Sequence, residues 1–230
     1  MNKFSHPILN MLNGKLVVSC QPAENGPMDH PEIVKSMAMA AEAGGAAGLR
    51  IEGFANVKTI RNLTKLPIIG IIKRNLNGYN IRITPLIEDV ENLSNCGADI
   101  IAYDATKLSR PISTQSLIKK IKEKKMLAMA DCANLEDGKK ALSEGADILG
   151  TTLSGYAYQK VKNIAPPDLT LVKQFSALKI FTMAEGRYHS PELAKNAMKA
   201  GANSVTVGSA ITRIEHMTNW FKEAIETNGR

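Results

Sequence analysis

IFTMAEGRYHSPELAKNAMKAGANSVTVGSAITR, residues 180–213, joins two apolar runs that each end in polar chemistry. The first run stops at Glu185-Gly186-Arg187 and the second at Gly208-Ser209-Ala210. Between them, Ser190-Pro191-Glu192 predicts a helix start. The serine hydroxyl caps a free N–H, proline suits the first helical position because it has no N–H to leave unpaired, and the acid faces the positive end of the helix dipole. Gly201 predicts the helix end. A strand, a helix and a strand, with both strands apolar enough to be buried on two faces, form a parallel unit that gathers its loops at one end. In a barrel of such units the loops after the last two strands commonly hold a phosphate group.

Outward from this stretch the same grammar recurs. Gly-Ala follows a helix-like segment at Gly45-Ala46, Gly97-Ala98, Gly145-Ala146 and Gly201-Ala202, and an apolar run follows each pair: AGLRI, DIIAYD, DILGTT and NSVTVGS. The repeat falls about every fifty residues, as a series of two-strand units would. Each glycine stands where a helix stops in a left-handed turn. Further strands without the Gly-Ala mark read at LVVSC after Lys15, IIGIIK after Pro67, LAMAD after Met126 and IFTMAE after Lys179. Amphipathic helices alternate with them, as in residues 32–43, where Ile33, Met37, Ala40 and Ala41 are read as one apolar side.

Eight short apolar strands alternating with helices in 230 residues predict an α/β fold, a closed (β/α)8 TIM barrel, as one domain over residues 1–230. The rival, an open doubly wound sheet, would carry a glycine-rich loop after its first strand, where this chain has Cys20-Gln21-Pro22.

The composition is 44% apolar, which supports one substantial core. No run reaches the roughly 18 apolar residues of a membrane helix, and the N-terminal MNKFSHPILNMLNGK lacks the unbroken apolar segment of a signal peptide. A cytoplasmic protein without membrane partners is expected. Cys20, Cys96 and Cys132 have no pairing or metal-ligand spacing and read as reduced core thiols. The net charge of +7 raises the question of nucleic acid. The densest lysines, KKIKEKK at 119–125, have no interleaved aromatics to stack bases and read as a solvated helix face, so nucleic acid is not expected. A positive field suits an anionic small substrate instead.

In a barrel, function lies at the carboxyl ends of the strands. Those positions read Gln21, Arg50, Lys73, Asp104, Asp131, Thr151-Thr152, Glu185 and Gly208-Ser209. Polar side chains immediately after so many apolar strands point to one convergent site. Taken singly, Arg50 or Asp104 could equally be a loop ion-pair partner, and Asp104 could brace the turn that follows it.

Lys73 ends the longest apolar strand, beside Arg74. A lysine desolvated near cations loses proton affinity, and its neutral amine can act as a base. It can otherwise pair with a carboxylate or phosphate, or form an imine. Glu185 lies between small neighbours, so a substrate can approach closely. It reads either as an ion-pair partner of Arg187 or Arg213, or as a carboxylate facing Lys73 across the barrel, the pair that proton abstraction beside a carbonyl requires.

VVSCQ (17–21), GLRIEG (48–53), PIIGIIKR (67–74), ITP (83–85), DIIAYDAT (99–106), MAD (129–131), GTTLSGY (150–156), AEGR (184–187) and VGSAITR (207–213) together resemble the N-acylglucosamine-6-phosphate 2-epimerases, also called N-acetylmannosamine-6-phosphate 2-epimerases. The matches are collinear and fall at every strand end. The resemblance implies a cofactor-independent isomerase that inverts carbon 2 of N-acetylmannosamine 6-phosphate to give N-acetylglucosamine 6-phosphate, in sialic acid and amino sugar breakdown. It implies catalytic roles for Lys73 and Glu185 and substrate contacts at Gln21, Arg50, Asp131 and Arg213. Gly186, Arg187, Gly208 and Ser209 would receive the phosphate, and no metal is implied. The chain departs from the family's usual pattern at Cys132-Ala133-Asn134 and at Ala157-Tyr158.

Proton return by Glu185, or by Lys73 serving both faces, remain open alternatives at this point. Other functions make distinct demands. A metal-dependent pentose-phosphate epimerase needs histidine and aspartate ligands at several strand ends, and His6, His30, His189 and His216 read as lying away from them. An imine-forming aldolase and a noncatalytic phosphosugar sensor are the other readings. Residues 219–227, with Trp220 and Phe221, read as a final helix that packs on its own barrel or joins a homodimer. Gly78 suggests mobility in the loop 75–80, to which no role is assigned.

Overall fold

A computed structural model describes residues 4–158 and 165–227. Eight parallel strands, β1 (Lys15–Cys20), β2 (Gly48–Glu52), β3 (Ile68–Ile71), β4 (Ile100–Asp104), β5 (Leu127–Asp131), β6 (Ile148–Gly150), β7 (Phe181–Glu185) and β8 (Ser204–Val207), pair in sequence order and close on themselves. The closing pairs run from Lys15 opposite Ser204 to Val18 opposite Val207. The (β/α)8 barrel read from the sequence is the observed fold. Ten helices lie among the described residues: α1 (Pro7–Leu12), α2 (Pro31–Ala43), α3 (Phe54–Arg61), α4 (Ile87–Asn95), α5 (Thr114–Glu123), α6 (Leu135–Ser143), α7 (Leu169–Ala177), α8 (Pro191–Lys199), α9 (Ser209–Thr212) and α10 (Ile214–Thr227).

The punctuation read from the sequence has the expected geometry. Gly45, Gly97, Gly145 and Gly201 take φ of +92°, +88°, +100° and +105°, a region that costs any residue with a Cβ. The remaining turns that the glycine pattern could not mark include two in which lysine takes the left-handed position, Lys125 at +60° before β5 and Lys179 at +57° before β7. Ser190 caps α8 by accepting from the Leu193 N–H, and Pro191 is its first residue. Three expectations need correction. The buried face of α2 centres on Val34 and Ala38, with Met37 and Ala41 flanking, and Ala40 is exposed because it lies on the far side of that stripe. The final helix starts at Ile214, five residues before the expected start, and α1 was not expected at all.

α1 explains how the barrel is closed from below. Leu9 and Leu12 pack with Val17, Ile69, Ile100, Leu127, Ile148 and Phe181 inside the barrel, and the Phe4 ring lies 5.0 Å from that of Phe181. A second cluster, including Leu49, Ile51, Tyr103, Leu117 and Phe175, fills the layer between sheet and helices. Successive residues of a strand point to opposite faces, so the inner face reads Val17-Ser19-Gln21, Ile69-Ile71-Lys73, Leu127-Met129-Asp131 and Phe181-Met183-Glu185 upward along four of the strands. Each turns from apolar to polar at the carboxyl end. That gradient places the site.

Among the described residues no helix is long and apolar enough to cross a membrane. The lysines of 119–125 lie on or just after α5 and are largely exposed, with Lys120 near Glu91 and Glu123 and Lys122 paired to Asp147, as expected of a solvated face. The cysteines are unpaired, with Cys20 and Cys132 buried and Cys96 partly so.

Candidate active site

At the carboxyl ends of the strands a cavity of about 640 Å³ opens, lined by Gln21, Arg50, Lys73, Glu185, Gly186, Arg187, Gly208, Ser209 and Arg213 among others. Nine of the ten residues to which the resemblance gives a role thus line one cavity. The tenth, Asp131, is wholly buried behind it.

Asp131 acts on the cavity through Arg50. The Arg50 guanidinium, 1% exposed, donates from Nη2 to Asp131 Oδ2 at 2.6 Å and from Nη1 to Asp131 Oδ1 at 3.1 Å. The same Nη1 donates to Glu185 Oε2 at 2.9 Å. Thr152 completes the arrangement with a 2.6 Å hydrogen bond to Asp131 Oδ1. One cation therefore serves two carboxylates, and the pairing holds Arg50 firmly protonated although burial opposes its charge. Its Nε–H, also buried, has no hydrogen-bond partner among the described residues. The partner of Glu185 is thus Arg50, rather than Arg187 or Arg213.

Glu185 ends β7 and Lys73 stands two residues past the end of β3, and those strands are four apart in a ring of eight, hence on opposite walls. Burial pushes the Glu185 carboxyl up to about 7, against the pull of Arg50 and with the charge of Asp131 adding to the rise. Burial also brings the Lys73 amine down to about 8, helped by Arg213, Arg50 and Arg82 and opposed by Glu52. The depressed lysine was expected, but the adjacent cation is not its cause. Arg74 turns away to Asp89 and Glu88, at 2.7 and 2.6 Å.

Glu185 is fixed through its main chain. β6 ends at Gly150, and the next residue, Thr151, takes over the pairing with its side chain. The Thr151 hydroxyl donates to the Glu185 carbonyl at 2.8 Å and accepts the Glu185 N–H at 3.0 Å. Opposite, Lys73 lies beyond β3 and pairs in antiparallel fashion with Ile83, while Arg74 N–H donates to the Arg82 carbonyl. The loop 75–80 is the excursion between these contacts. It returns Arg82 to the cavity rim, where Arg82 meets Glu24 at 3.0 Å.

The loop after β7 is bent by two consecutive left-handed residues, Gly186 at φ +106° and Arg187 at +62°. The second is costly for a side chain and is held by its own guanidinium, which donates to the carbonyls of Ser154 (2.5 Å) and Pro166 (3.1 Å) and lies 5.3 Å above the Tyr156 ring. Arg213 donates from Nε to the Gln21 carbonyl at 2.8 Å, and the Gln21 amide donates to Ser19 Oγ at 2.7 Å. Five cationic and two acidic side chains line the cavity, a field suited to an anion.

A family profile described as "Putative N-acetylmannosamine-6-phosphate epimerase" matches residues 34–227. The chain belongs to the N-acetylmannosamine-6-phosphate epimerase family. Relatives described as "Putative N-acetylmannosamine-6-phosphate 2-epimerase" in Pasteurella multocida and Haemophilus influenzae are 51% and 50% identical over 228 residues, each covering 99% of both chains. The solved N-acetylmannosamine-6-phosphate 2-epimerase of Clostridium perfringens superposes with a TM-score of 0.91 at 40% identity, over 96% of this chain and 97% of that one. A thiamine phosphate pyrophosphorylase of Pyrococcus furiosus, 18% identical at a TM-score of 0.61 over 89% of each chain, shares the fold.

In this epimerase Asp104 takes the bracing role, one of the readings open to it from the sequence. Asp104 braces its own loop, accepting from the Thr106 N–H (2.9 Å) and hydroxyl (2.6 Å) and pairing with Arg110. His189 and His216 line the cavity, against the expectation that all histidines lie away from it. They flank Trp220, with ring centroids 4.4 and 6.1 Å away. The side of α10 that carries Trp220 therefore faces the site, which no local pattern announced. Ser19 and Thr206 also line the cavity. They lie two residues before Gln21 and Gly208, so the period of two would have found them. Among the described residues no group of three or more His, Cys, Asp or Glu is placed to hold a metal ion.

Proposed function

We propose that the chain inverts carbon 2 of N-acetylmannosamine 6-phosphate to give N-acetylglucosamine 6-phosphate, with Lys73 and Glu185 working on opposite faces of the sugar. The observation that carries the reading is their placement at the ends of opposed strands around one cavity, with proton affinities drawn from opposite directions to about 8 and about 7. A hydrogen beside a carbonyl is acidic only once the ring has opened, and the enolate formed on its loss needs a donor at its oxygen. Lys73, neutral in part near pH 8, takes the proton from carbon 2. Glu185, protonated in part near pH 7, returns one to the other face. Two groups so disposed favour this route over rotation of the intermediate above a single base. Proton transfers of this kind balance without a cofactor.

Arg50, with a buried Nε–H still to be satisfied, is the donor we assign to the open-chain sugar, and Asp131 holds it in place. Gln21 and Arg213 orient the hydroxyl groups. Gly186, Arg187, Gly208 and Ser209 receive the phosphate, consistent with the excess of cationic side chains around the cavity. The barrel is read as one catalytic domain acting in the cytoplasm on sialic acid breakdown products, with no nucleic acid partner. We also assign a homodimer to the outer face of α10, where Ile214, Phe221 and Ile225 are 59%, 65% and 72% exposed at helical spacing. Phe221→Glu with Ile225→Glu should then lower the sedimentation mass to that of one chain, and an unchanged mass removes the assignment.

The decisive experiment is turnover of N-acetylmannosamine 6-phosphate in deuterium oxide, followed by proton NMR of the anomeric and carbon 2 signals. Product should carry deuterium at carbon 2, and Lys73→Ala should lose turnover by a factor of at least about 10³ while keeping its circular dichroism. Epimerised product without label, or a Lys73→Ala protein of near-normal rate, overturns the reading.

A further inference from the structure

Glu52 ends β2 two residues beyond Arg50, on the same side of the strand, yet it is not part of the cavity wall. Its Oε1 accepts the backbone N–H of Lys73 at 3.3 Å. The β2–β3 ladder has its last rung at Glu52 opposite Ile71. The side chain of Glu52 thus carries the pairing two residues further, to the position from which the amine projects. The connection back to the barrel is equally specific, since the Asn56 side chain donates to the Glu52 carbonyl at 2.9 Å where the chain enters α3.

Five charged side chains surround the Lys73 amine. Arg50 on β2, Arg82 on the return from the loop 75–80 and Arg213 at the end of α9 all disfavour a proton there, and Glu52 favours one. Glu24, from the loop after β1, is also within electrostatic range but is engaged by Arg82. A base beside carbon 2 has two tasks that conflict. It must be neutral to accept the proton, which the guanidinium groups promote, and it must then hold that proton as an ammonium, which they oppose. A nearby carboxylate is what reconciles the two.

We propose that Glu52 is a positioning residue for Lys73, which fixes the strand end that carries the amine and supplies the negative charge that lets the amine keep the proton taken from the sugar. The inference rests on Lys73 being the base. It is separable from that reading because the charge effect can be read on the lysine itself.

The experiment uses the full-length chain with lysines labelled at the ε carbon, the Lys73 signal being assigned by its loss in Lys73→Arg. Glu52→Gln keeps an oxygen to accept the Lys73 N–H and removes only the charge, and Glu52→Asp keeps the charge. In Glu52→Gln the Lys73 titration should move down by about half a pH unit to one unit, and the acid limb of kcat/KM should move with it. Glu52→Asp should titrate within about 0.3 unit of the parent, and Glu52→Ala should reproduce the downward shift and also lower kcat by about tenfold through loss of the backbone contact. A Lys73 midpoint that stays put or rises in both Glu52→Gln and Glu52→Ala overturns the proposal. A midpoint that falls while the kcat/KM limb does not follow upholds Glu52 and refutes Lys73 as the base.

Discussion

Glu185→Gln should disable the enzyme and stabilise the barrel, with the stabilisation present only at higher pH. The reasoning starts from a carboxyl whose side chain is 12% exposed and whose pKa burial lifts from the ordinary 4.5 to about 7. The raised folded value means that the protonated form fits the site better than the ionised one. Stability contributed by this group is therefore intact below pH 4.5 and is lost as pH rises through 7. A rise of that size corresponds to about 3 kcal/mol at 1.36 kcal/mol per unit. Glutamine resembles the protonated acid in shape and charge, so it should recover most of that amount above pH 7 and almost none at pH 4. For a chain of this size about 3 kcal/mol corresponds to roughly 6–12 °C in melting temperature. The assay is a pair of calorimetric or circular dichroism melts, parent against Glu185→Gln, at pH 8 and at pH 4, with turnover followed by NMR on the same samples. A variant that is no more stable than the parent at pH 8, or that gains equally at both pH values, refutes the account of Glu185 as a carboxylate held against its charge.

Other outcomes follow from the same geometry. The pH profile of kcat/KM should be a bell centred near 7.5, its rise governed by Lys73, which must lose its proton, and its fall by Glu185, which must keep its own, at about 8 and about 7; a rate that is flat from pH 6 to 9 contradicts both assignments. Thr151→Val keeps the shape but leaves the N–H and carbonyl of Glu185 without the hydroxyl that serves both. It should cost about 2–4 kcal/mol of stability by denaturant unfolding and lower kcat by about 10–100-fold, while Thr151→Ser stays near the parent. Equal loss in both variants would mean that the methyl group, not the hydroxyl, matters.

The sequence by itself determined the barrel, because what it needs is local and repeated. Glycine at 45, 97, 145 and 201 reports left-handed helix stops through the absence of a Cβ, and the Ser190-Pro191 cap reports a helix start through main-chain hydrogen bonding. Position at the carboxyl end of an apolar strand, the end at which a barrel carries its site, then brought Gln21, Arg50, Lys73 and Glu185 to one cavity. Partnerships were decided only by the tertiary structure, since they join residues that closure of the ring makes neighbours. Arg50 serves Asp131 and Glu185, 81 and 135 residues away, and nothing in the chain near any of the three announces it. The neighbour in sequence misleads where backbone direction sends it elsewhere, as with Arg74, which points to Asp89 while Arg213 and Arg82 act on Lys73. Proton affinity depends on burial and on charge through space, and both are properties of the closed barrel that no strand has alone.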